Sequence, residues 1–261
     1  MKPILLHSAG SLSPLLLKFL SFALLLLLNP HAASSGEFRV TPIRLDFDNE
    51  TRTAIVSVLT EGPDKLNLQI KALEWAQDSN GKDVYTDTSD IIFFPKIMTV
   101  EGGEEKTLRA GVQMPPPARE KTYRLFVEEI PQPKKKSEGV NIAIAIRFGI
   151  PVFVKPARED AKAEINKVEL SAGVLSVLVT NTGNVHLQVT SVDLKGLDSS
   201  GAEVFSEQIG GWYLLNGRTR LYTAPIPADV CAALSKIDVE VVTDRFTLKG
   251  SAEAGKTRCR P

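Results

Sequence analysis

Histidine is scarce in this chain, and this limits the chemistry that the sequence can perform. The 261 residues include three histidines, and if His7 and His31 are lost with a predicted N-terminal export signal, His186 is the only one left. A Ser-His-Asp triad needs a histidine beside its nucleophile, and many zinc sites use several histidines or cysteines. Neither arrangement is easy to assemble here, so the sequence argues against an exported hydrolase and predicts neither a metal site nor another cofactor.

Carboxylates and glycines offer no better route to catalysis. Glu128 and Glu129 are adjacent on a predicted strand, where neighbouring side chains point to opposite faces and cannot act together on one substrate. The glycine pairs at 102–103 and 210–211 lack a phosphate-binding pattern and are better interpreted as turns. The sequence therefore predicts a binding protein and not an enzyme.

A more specific pattern runs through residues 140–150, where large apolar residues occupy every even position and small or polar ones the odd positions. The large residues are Val140, Ile142, Ile144, Ile146 and Phe148, with Ile150 after them. Because alternate residues of a strand share a face, they form an apolar row. The row either fills the core of its own domain or is presented to a partner. The three lysines at 134–136 indicate a solvated loop before it.

The elements that must position these residues are strands. From Phe38 onward apolar residues recur with a period of two, in short stretches separated by Gly, Pro, Asn and Asp, which is typical of antiparallel β-structure. One short helix is predicted at residues 228–234. The predicted strands are residues 53–60, 66–75, 106–113, 123–130, 140–154, 174–180, 187–194, 218–224 and 236–243.

The sequence divides into two halves of similar size. A polar, proline-containing stretch at residues 155–160 ends the longest predicted strand and is the best domain boundary. Each half has the size of an immunoglobulin-like β-sandwich, so the fold class is predicted to be all-β, with two such domains in tandem. The predicted division is a signal peptide at 1–34, an N-terminal domain at 35–156, a C-terminal domain at 157–249 and a polar tail at 250–261.

The N-terminus has the layout of a secretory signal. Lys2 and Lys18 precede an apolar run at residues 19–28, which small residues follow. That run is shorter than the ~20 residues that a spanning helix needs, so we expect cleavage, a periplasmic protein and no stable membrane insertion. Without the two lysines the balance is 31 − 2 = 29 basic against 31 acidic residues, or −2, which does not favour nucleic acid as a partner.

Cysteine usage leaves two alternatives open. Cys231 and Cys259 are the only cysteines, and both lie near the C-terminus. Export to an oxidising compartment makes a disulfide between them possible, whereas the position of Cys259 in a polar tail is equally compatible with two free thiols.

Several segments together resemble the PapD-like periplasmic chaperones of pilus assembly. Residues 123–131 (YRLFVEEIP) are similar to the family's signature before the lysine loop, and residues 147–156 (RFGIPVFVKP) to its next strand and exit to the second domain. Residues 101–109 and 179–186 match more loosely. Residues 147–151 also resemble the archaic branch of the family, whose subunits are of the spore-coat type.

The resemblance implies a fold and a mode of binding. Family members consist of two immunoglobulin-like domains in a boomerang arrangement, and lend a strand to a pilin subunit that lacks one. It favours a role for the row from Val140 to Phe148 as this donor strand. The implied partners are a pilin or spore-coat-type fibre subunit and an outer-membrane usher. An unfinished sandwich exposes an apolar groove and an unpaired edge, and a strand with such a row would cover both.

The resemblance also implies an anchor for the carboxylate at the end of the subunit. Family members use an Arg on the first strand, which Arg44 matches, and a Lys late in the donor strand, where this chain has Pro151. Arg147, on the same strand and face as Pro151, and Arg109 are candidates for the missing charge. A two-domain adhesive or structural surface protein is the alternative function, which would not copurify with a small subunit.

Overall fold

The fold is described by a computed structural model for residues 38–131, 145–255 and 258–259. The predicted signal peptide, the lysine loop and Val140, Ile142 and Ile144 of the apolar row lie outside the described residues. The chain from Phe38 onward belongs to one compact unit.

The described residues form eighteen strands and one short helix. The strands are β1 (Phe38–Thr41), β2 (Leu45–Phe47), β3 (Thr53–Thr60), β4 (Leu66–Gln77), β5 (Asp83–Asp87), β6 (Ile91–Phe94), β7 (Ile97–Val100), β8 (Glu105–Val112), β9 (Lys121–Glu129), β10 (Arg147–Val154), β11 (Ala163–Ser171), β12 (Val174–Asn181), β13 (Leu187–Leu197), β14 (Glu203–Gly210), β15 (Tyr213–Leu214), β16 (Thr219–Pro225), β17 (Lys236–Thr243) and β18 (Thr247–Glu253). The helix, α1, spans Ala228–Ala233.

Two sheets built from β1 to β10 enclose the first core. One has the order β1-β3-β8-β6, and the other the order β2-β10-β9-β4-β5, with β7 also paired to β4. All pairs are antiparallel except the parallel pair of β2 and β10. Alternate apolar residues face inward, among them Val56, Leu108, Leu125 and Ile150, all fully buried. These sheets form a β-sandwich.

A second sandwich is built from β11 to β18. Its sheets have the orders β11-β12-β16 and β14-β13-β17-β18, and β15 adds to β13. Val179, Val192 and Val241 are buried between them. The predicted domain boundary after residue 156 falls between the end of β10 and the start of β11.

Most strands expected from period-two alternation have counterparts within a few residues, and α1 lies where a helix was predicted. Gly103, in one of the predicted turns, has a positive φ value of 74°. The interpretation of residues from 250 onward as a polar tail needs correction. Gly250 to Glu253 belong to β18, which pairs with β17 and buries Ala252. Small and charged residues hid this alternation in the sequence.

The structure joins Cys231 of α1 to Cys259 by a disulfide, which decides between the two alternatives for these cysteines. Cys231 is fully buried in the second core, and the cross-link holds the C-terminal segment against it. In the chain-entropy model a loop of 28 residues contributes about 3–4 kcal/mol to stability. The cross-link lies wholly within the second sandwich.

Asp90, between β5 and β6, ties the two sheets of the first sandwich together and should make its stability depend on pH. Tyr123 donates its hydroxyl to the Asp90 carboxylate at 2.6 Å and Lys121 donates at 3.0 Å, and in that order they lower the pKa of Asp90. A carboxyl group whose pKa is lower in the folded than in the unfolded state stabilises the fold above the unfolded value of about 3.9. This stabilisation is lost as pH falls through the folded value.

We therefore expect Asp90→Asn to lower the free energy of unfolding at neutral pH, and this difference from the native protein to shrink as pH falls below about 4. Urea unfolding at a series of pH values measures it. Asp87→Asn is the matched control, because Asp87 is almost fully exposed and lies 3.6 Å from Lys71. A difference that does not change with pH would contradict the assignment.

Candidate functional site

The two faces of β10 are different. Phe148, Ile150, Val152 and Val154 face the first core, where Phe148 is partly buried. Arg147, Gly149, Pro151 and Phe153 lie on the opposite, outer face of the sheet. Ile146, just before the strand, is exposed. Of the predicted apolar row, the described residues thus include one member on the core side and one that is exposed.

The edge of β10 is only partly covered. β10 pairs with β9 along its whole length, from Arg147 to Val154, but with β2 only at Val152–Val154. Within the described residues, positions 147–151 therefore have a strand neighbour on one side only. Backbone groups on such an edge can pair with a strand from another chain.

Arg44 lies near this edge, between β1 and β2. Its Nε and Nη2 donate to the two carboxylate oxygens of Asp46 at 2.8 and 2.7 Å, and its guanidinium lies 4.6 Å from the ring centroid of Phe153. Burial alone would lower the pKa of Arg44, but the hydrogen bonds and charge of Asp46, with smaller contributions from Tyr213 and Glu120, raise it. Arg44 is therefore a fixed positive charge close to both sandwiches.

Arg124 of β9 is a second positive charge on the same face, and it was not among the site residues predicted from the sequence. It is directly opposite Pro151 in the pairing of β9 with β10. It is 7% exposed, lies 4.0 Å from the ring centroid of Trp75 and donates from Nη1 to the Gly149 carbonyl at 3.1 Å. Its Nε has no hydrogen-bond partner among the described residues, which leaves a buried donor unused.

The other predicted arginines are placed differently. Arg147 lies on the outer face but further along β10, where it pairs with Glu128 and lies 3.6 Å from the ring centroid of Phe126. Arg109 is on β8, in the four-stranded sheet, with Ile55 and Phe94 opposite it on the neighbouring strands. The structure thus places Arg44 and Arg124 around one aromatic cluster, and Arg109 on another surface.

That aromatic cluster joins the two sandwiches. Phe153 stacks on His186 at 3.7 Å between ring centroids, and Trp75 meets Tyr213 edge to face at 5.2 Å. Phe153 and Trp75 come from the first sandwich, and the other two from the second. We call these four residues the junction.

Hydrogen bonds hold the junction together. Both carboxylate oxygens of Glu120 lie within 2.9 Å of His186 Nδ1, and one also accepts from the His186 backbone N–H at 2.9 Å. Buried Gln77 donates to the Tyr213 carbonyl at 2.8 Å and accepts from the Leu215 N–H at 3.0 Å. Because these buried polar groups satisfy one another across the two sandwiches, separating the sandwiches would leave them unpaired.

We expect Glu120→Gln to destabilise the protein by about 1–3 kcal/mol, since the Gln amide has one oxygen that accepts hydrogen bonds where the carboxylate has two. The midpoint of thermal unfolding measures the effect. Glu203→Gln is the control, because Glu203 makes an exposed ion pair with Lys195. Equal midpoints for the two variants would show that the Glu120–His186 contact does not hold the sandwiches together.

The one histidine outside the predicted signal therefore serves a structural contact. Among the residues that the structure describes, no group of three or more His, Cys, Asp or Glu side chains is arranged to hold a metal ion. No helix within that part of the chain is long and apolar enough to cross a membrane.

Comparison with known proteins identifies the first half. A family model described as "Pili and flagellar-assembly chaperone, PapD N-terminal domain" matches residues 37–159. No curated protein matches the chain in sequence.

Several solved structures have a similar fold. A chain of the CsuC–CsuE chaperone–tip adhesion subunit pre-assembly complex, from the archaic Csu pili of Acinetobacter baumannii, is 19% identical with a TM-score of 0.57, covering 82% of this chain and 97% of that one. A chain of the Salmonella enterica SafA pilin–SafB chaperone complex is 14% identical with a TM-score of 0.54, and the match covers 85% of this chain and 99% of that one. The Pseudomonas aeruginosa CupB2 chaperone is 16% identical with a TM-score of 0.50, and the match covers 83% of this chain and 100% of that one.

These similarities span both sandwiches, and the fold is that of the two-domain chaperones, with immunoglobulin-like β-sandwiches. The family model rests on the half that contains β10, Arg44 and Arg124. Residues 37–159 therefore match the N-terminal domain of the PapD-like pilus-assembly chaperones, and the fold of the described residues is the two-domain fold of such chaperones.

Proposed function

We propose that this protein binds fibre subunits of the pilin type in the periplasm and caps them by donor-strand complementation. The donor is the segment from Val140 to Ile146, together with the edge of β10 that continues it. The observation that carries the proposal is the edge at residues 147–151, which has a strand neighbour on one side only among the described residues. A subunit that lacks a strand could pair there.

The anchor for the subunit's terminal carboxylate is Arg44 together with Arg124. Both are held close to the junction, one 4.6 Å from the ring centroid of Phe153 and the other 4.0 Å from that of Trp75. The side chain of Arg124 is on the same sheet face as Pro151 and opposite it, so it can supply the charge that position 151 lacks. A charge-assisted pair with a carboxylate would use the Nε of Arg124, which has no hydrogen-bond partner among the described residues.

Arg147 has a supporting role in this proposal. Its contacts with Glu128 and Phe126 are made on the same face, nearer the donor segment. It can line the path of the bound strand, whereas Arg109 belongs to another sheet and is left out of the anchor. Because residues 147–151 resemble the archaic branch, the proposed subunits are of the spore-coat type, with an outer-membrane usher as the acceptor.

Copurification from the periplasm tests the function. The tagged protein, expressed in its native host, should bring down a small polypeptide in a one-to-one complex, identified by mass spectrometry and by the mass of the complex. The control is a variant in which Gly149 of β10 is replaced by valine. A Cβ there would come 2.9 Å from Phe126 Cε1, and a larger side chain would disturb the edge.

The opposite result has a clear meaning. If the native protein is recovered from periplasm without any stoichiometric small polypeptide, while subunits are present, it does not act as a subunit chaperone. A two-domain surface protein would give that result.

A further inference from the structure

A second candidate surface lies on the outer face of the four-stranded sheet, away from the junction. Ile55 of β3 and Phe94 of β6 both lie opposite Arg109 of β8, and Ile92 lies opposite Gly111. Side chains directly opposite each other share a face, so these residues form two adjacent rows. They line a groove of about 490 Å³, which Arg52 also borders.

The groove is apolar and open to solvent. Ile55 is 54% exposed, Ile92 45% and Phe94 76%, which is unusual for side chains of this size on one small surface. Gly111 forms the floor, because a Cβ there would come within 3.2 Å of Thr53 Cγ2 and the Arg52 carbonyl oxygen. A side chain at this position would reduce the depth of the groove.

The same groove has an unpaired strand edge beside it. β6 is the last strand in the order β1-β3-β8-β6, and within the described residues it pairs only with β8. An extended segment could add to β6 through backbone hydrogen bonds and place alternate side chains over the groove.

The charge of the groove decides which segment fits. Among the residues that the structure describes, Arg52 and Arg109 line it and no acidic residue does. A second copy of this chain, paired β6 to β6 about a two-fold axis, would bring the same arginines of both copies together and be disfavoured by repulsion. An extended segment with apolar and acidic side chains on one face would satisfy the edge, the groove and the charge together.

We propose that the edge of β6 and the groove formed by Ile55, Ile92, Phe94, Arg109 and Gly111 bind an extended acidic segment of a partner protein by strand addition. This site is separate from the edge of β10 and from the junction. It would let the chaperone contact one partner with its four-stranded sheet while a subunit occupies β10.

Two labelled octapeptides test the proposal by fluorescence anisotropy with the purified protein. In both, threonine alternates with the residues meant for the groove face; these are valine and aspartate in the first peptide, and valine and lysine in the second. We expect the aspartate peptide to bind at least about tenfold more tightly than the lysine peptide, because of its charge. Arg109→Glu should reverse this preference, and Ile92→Thr should weaken binding of the aspartate peptide several-fold.

Ile97→Thr is the matched control. Ile97 is 65% exposed but lies on β7, which pairs with β4 of the other sheet, so its replacement should leave peptide binding unchanged. Circular dichroism would show that all variants are folded.

Three results would overturn the proposal. The first is equal binding of the two peptides, or no binding of either at millimolar concentration. The second is binding to phosphatidylglycerol vesicles that Arg109→Glu abolishes, which would identify a membrane surface as the occupant. The third is a concentration-dependent dimer that Phe94→Ser dissociates, which would assign the groove to a second copy.

Discussion

Replacing both Arg44 and Arg124 with alanine is expected to remove nearly all of the subunit that the native protein recovers from periplasm. Each arginine would pair with the subunit carboxylate in a site that is partly closed to water, and truncating one partner of such a pair costs about 2–5 kcal/mol. That corresponds to roughly 30-fold to several thousand-fold in the dissociation constant for either single variant. Both share one carboxylate, so the combined loss should be smaller than the sum of the two.

The design of this experiment must separate binding from folding, because Arg124 also contacts Trp75 and the Gly149 carbonyl. Arg44→Lys and Arg124→Lys keep the charge and should retain part of the capture. Arg39→Ala controls for the loss of a surface arginine, because Arg39 lies on β1 and makes an exposed ion pair with Glu61. Thermal unfolding of each free variant shows whether the fold is intact.

Two outcomes would contradict this anchor. If the folded double variant captured as much subunit as the native protein, neither arginine would hold the carboxylate. If Arg147→Ala or Arg109→Ala abolished capture while the double variant did not, the anchor would involve one of those residues instead.

Arg124 shows how far the sequence could have predicted the site. Tyr123, Leu125 and Val127 alternate as core residues, which places Arg124 on the outer face. Its position opposite Pro151 follows from the register of β9 and β10. Alternation within one strand specifies which residues share a face, but it does not specify which residue of the neighbouring strand lies opposite each of them. The face of Arg124 was therefore predictable, and its neighbour was not.

The fold was predictable where strands are long and one of their faces is buried. β3 and β17 have clear alternation, because each presents one side to a core. Short strands such as β2 and β15 have too few residues to display a period. They exist because neighbouring strands offer backbone partners, which is a property of the assembled sheet.

The junction was beyond sequence reasoning for a similar physical cause. Glu120 and His186 are 66 residues apart and meet only when the two sandwiches pack together. The scarcity of histidine in the sequence argued against a triad, but it contained no sign of a buried contact with Glu120. Such a contact depends on the packing of whole domains and not on local spacing.

The donor segment from Val140 to Ile146 is the part of the proposal that rests on sequence pattern. The described part of the row shows both possibilities, since Phe148 packs against the first core and Ile146 is exposed. If Ile142 and Ile144 become buried only in the complex, each should contribute roughly 1.5–3 kcal/mol to binding through apolar transfer. If they belong to the core of the free protein, they should contribute to folding instead.

Changing Ile142 and Ile144 together to threonine is therefore expected to reduce subunit capture strongly and to leave the unfolding midpoint of the free protein nearly unchanged. The predicted loss of binding, roughly 3–6 kcal/mol for the pair, would leave little complex to recover. Ile150→Thr is the matched control, because Ile150 is fully buried in the first core and its replacement should lower the midpoint. A double variant that melts like Ile150→Thr, yet captures subunit whenever it is folded, would mean that the row is core and that another strand is the donor.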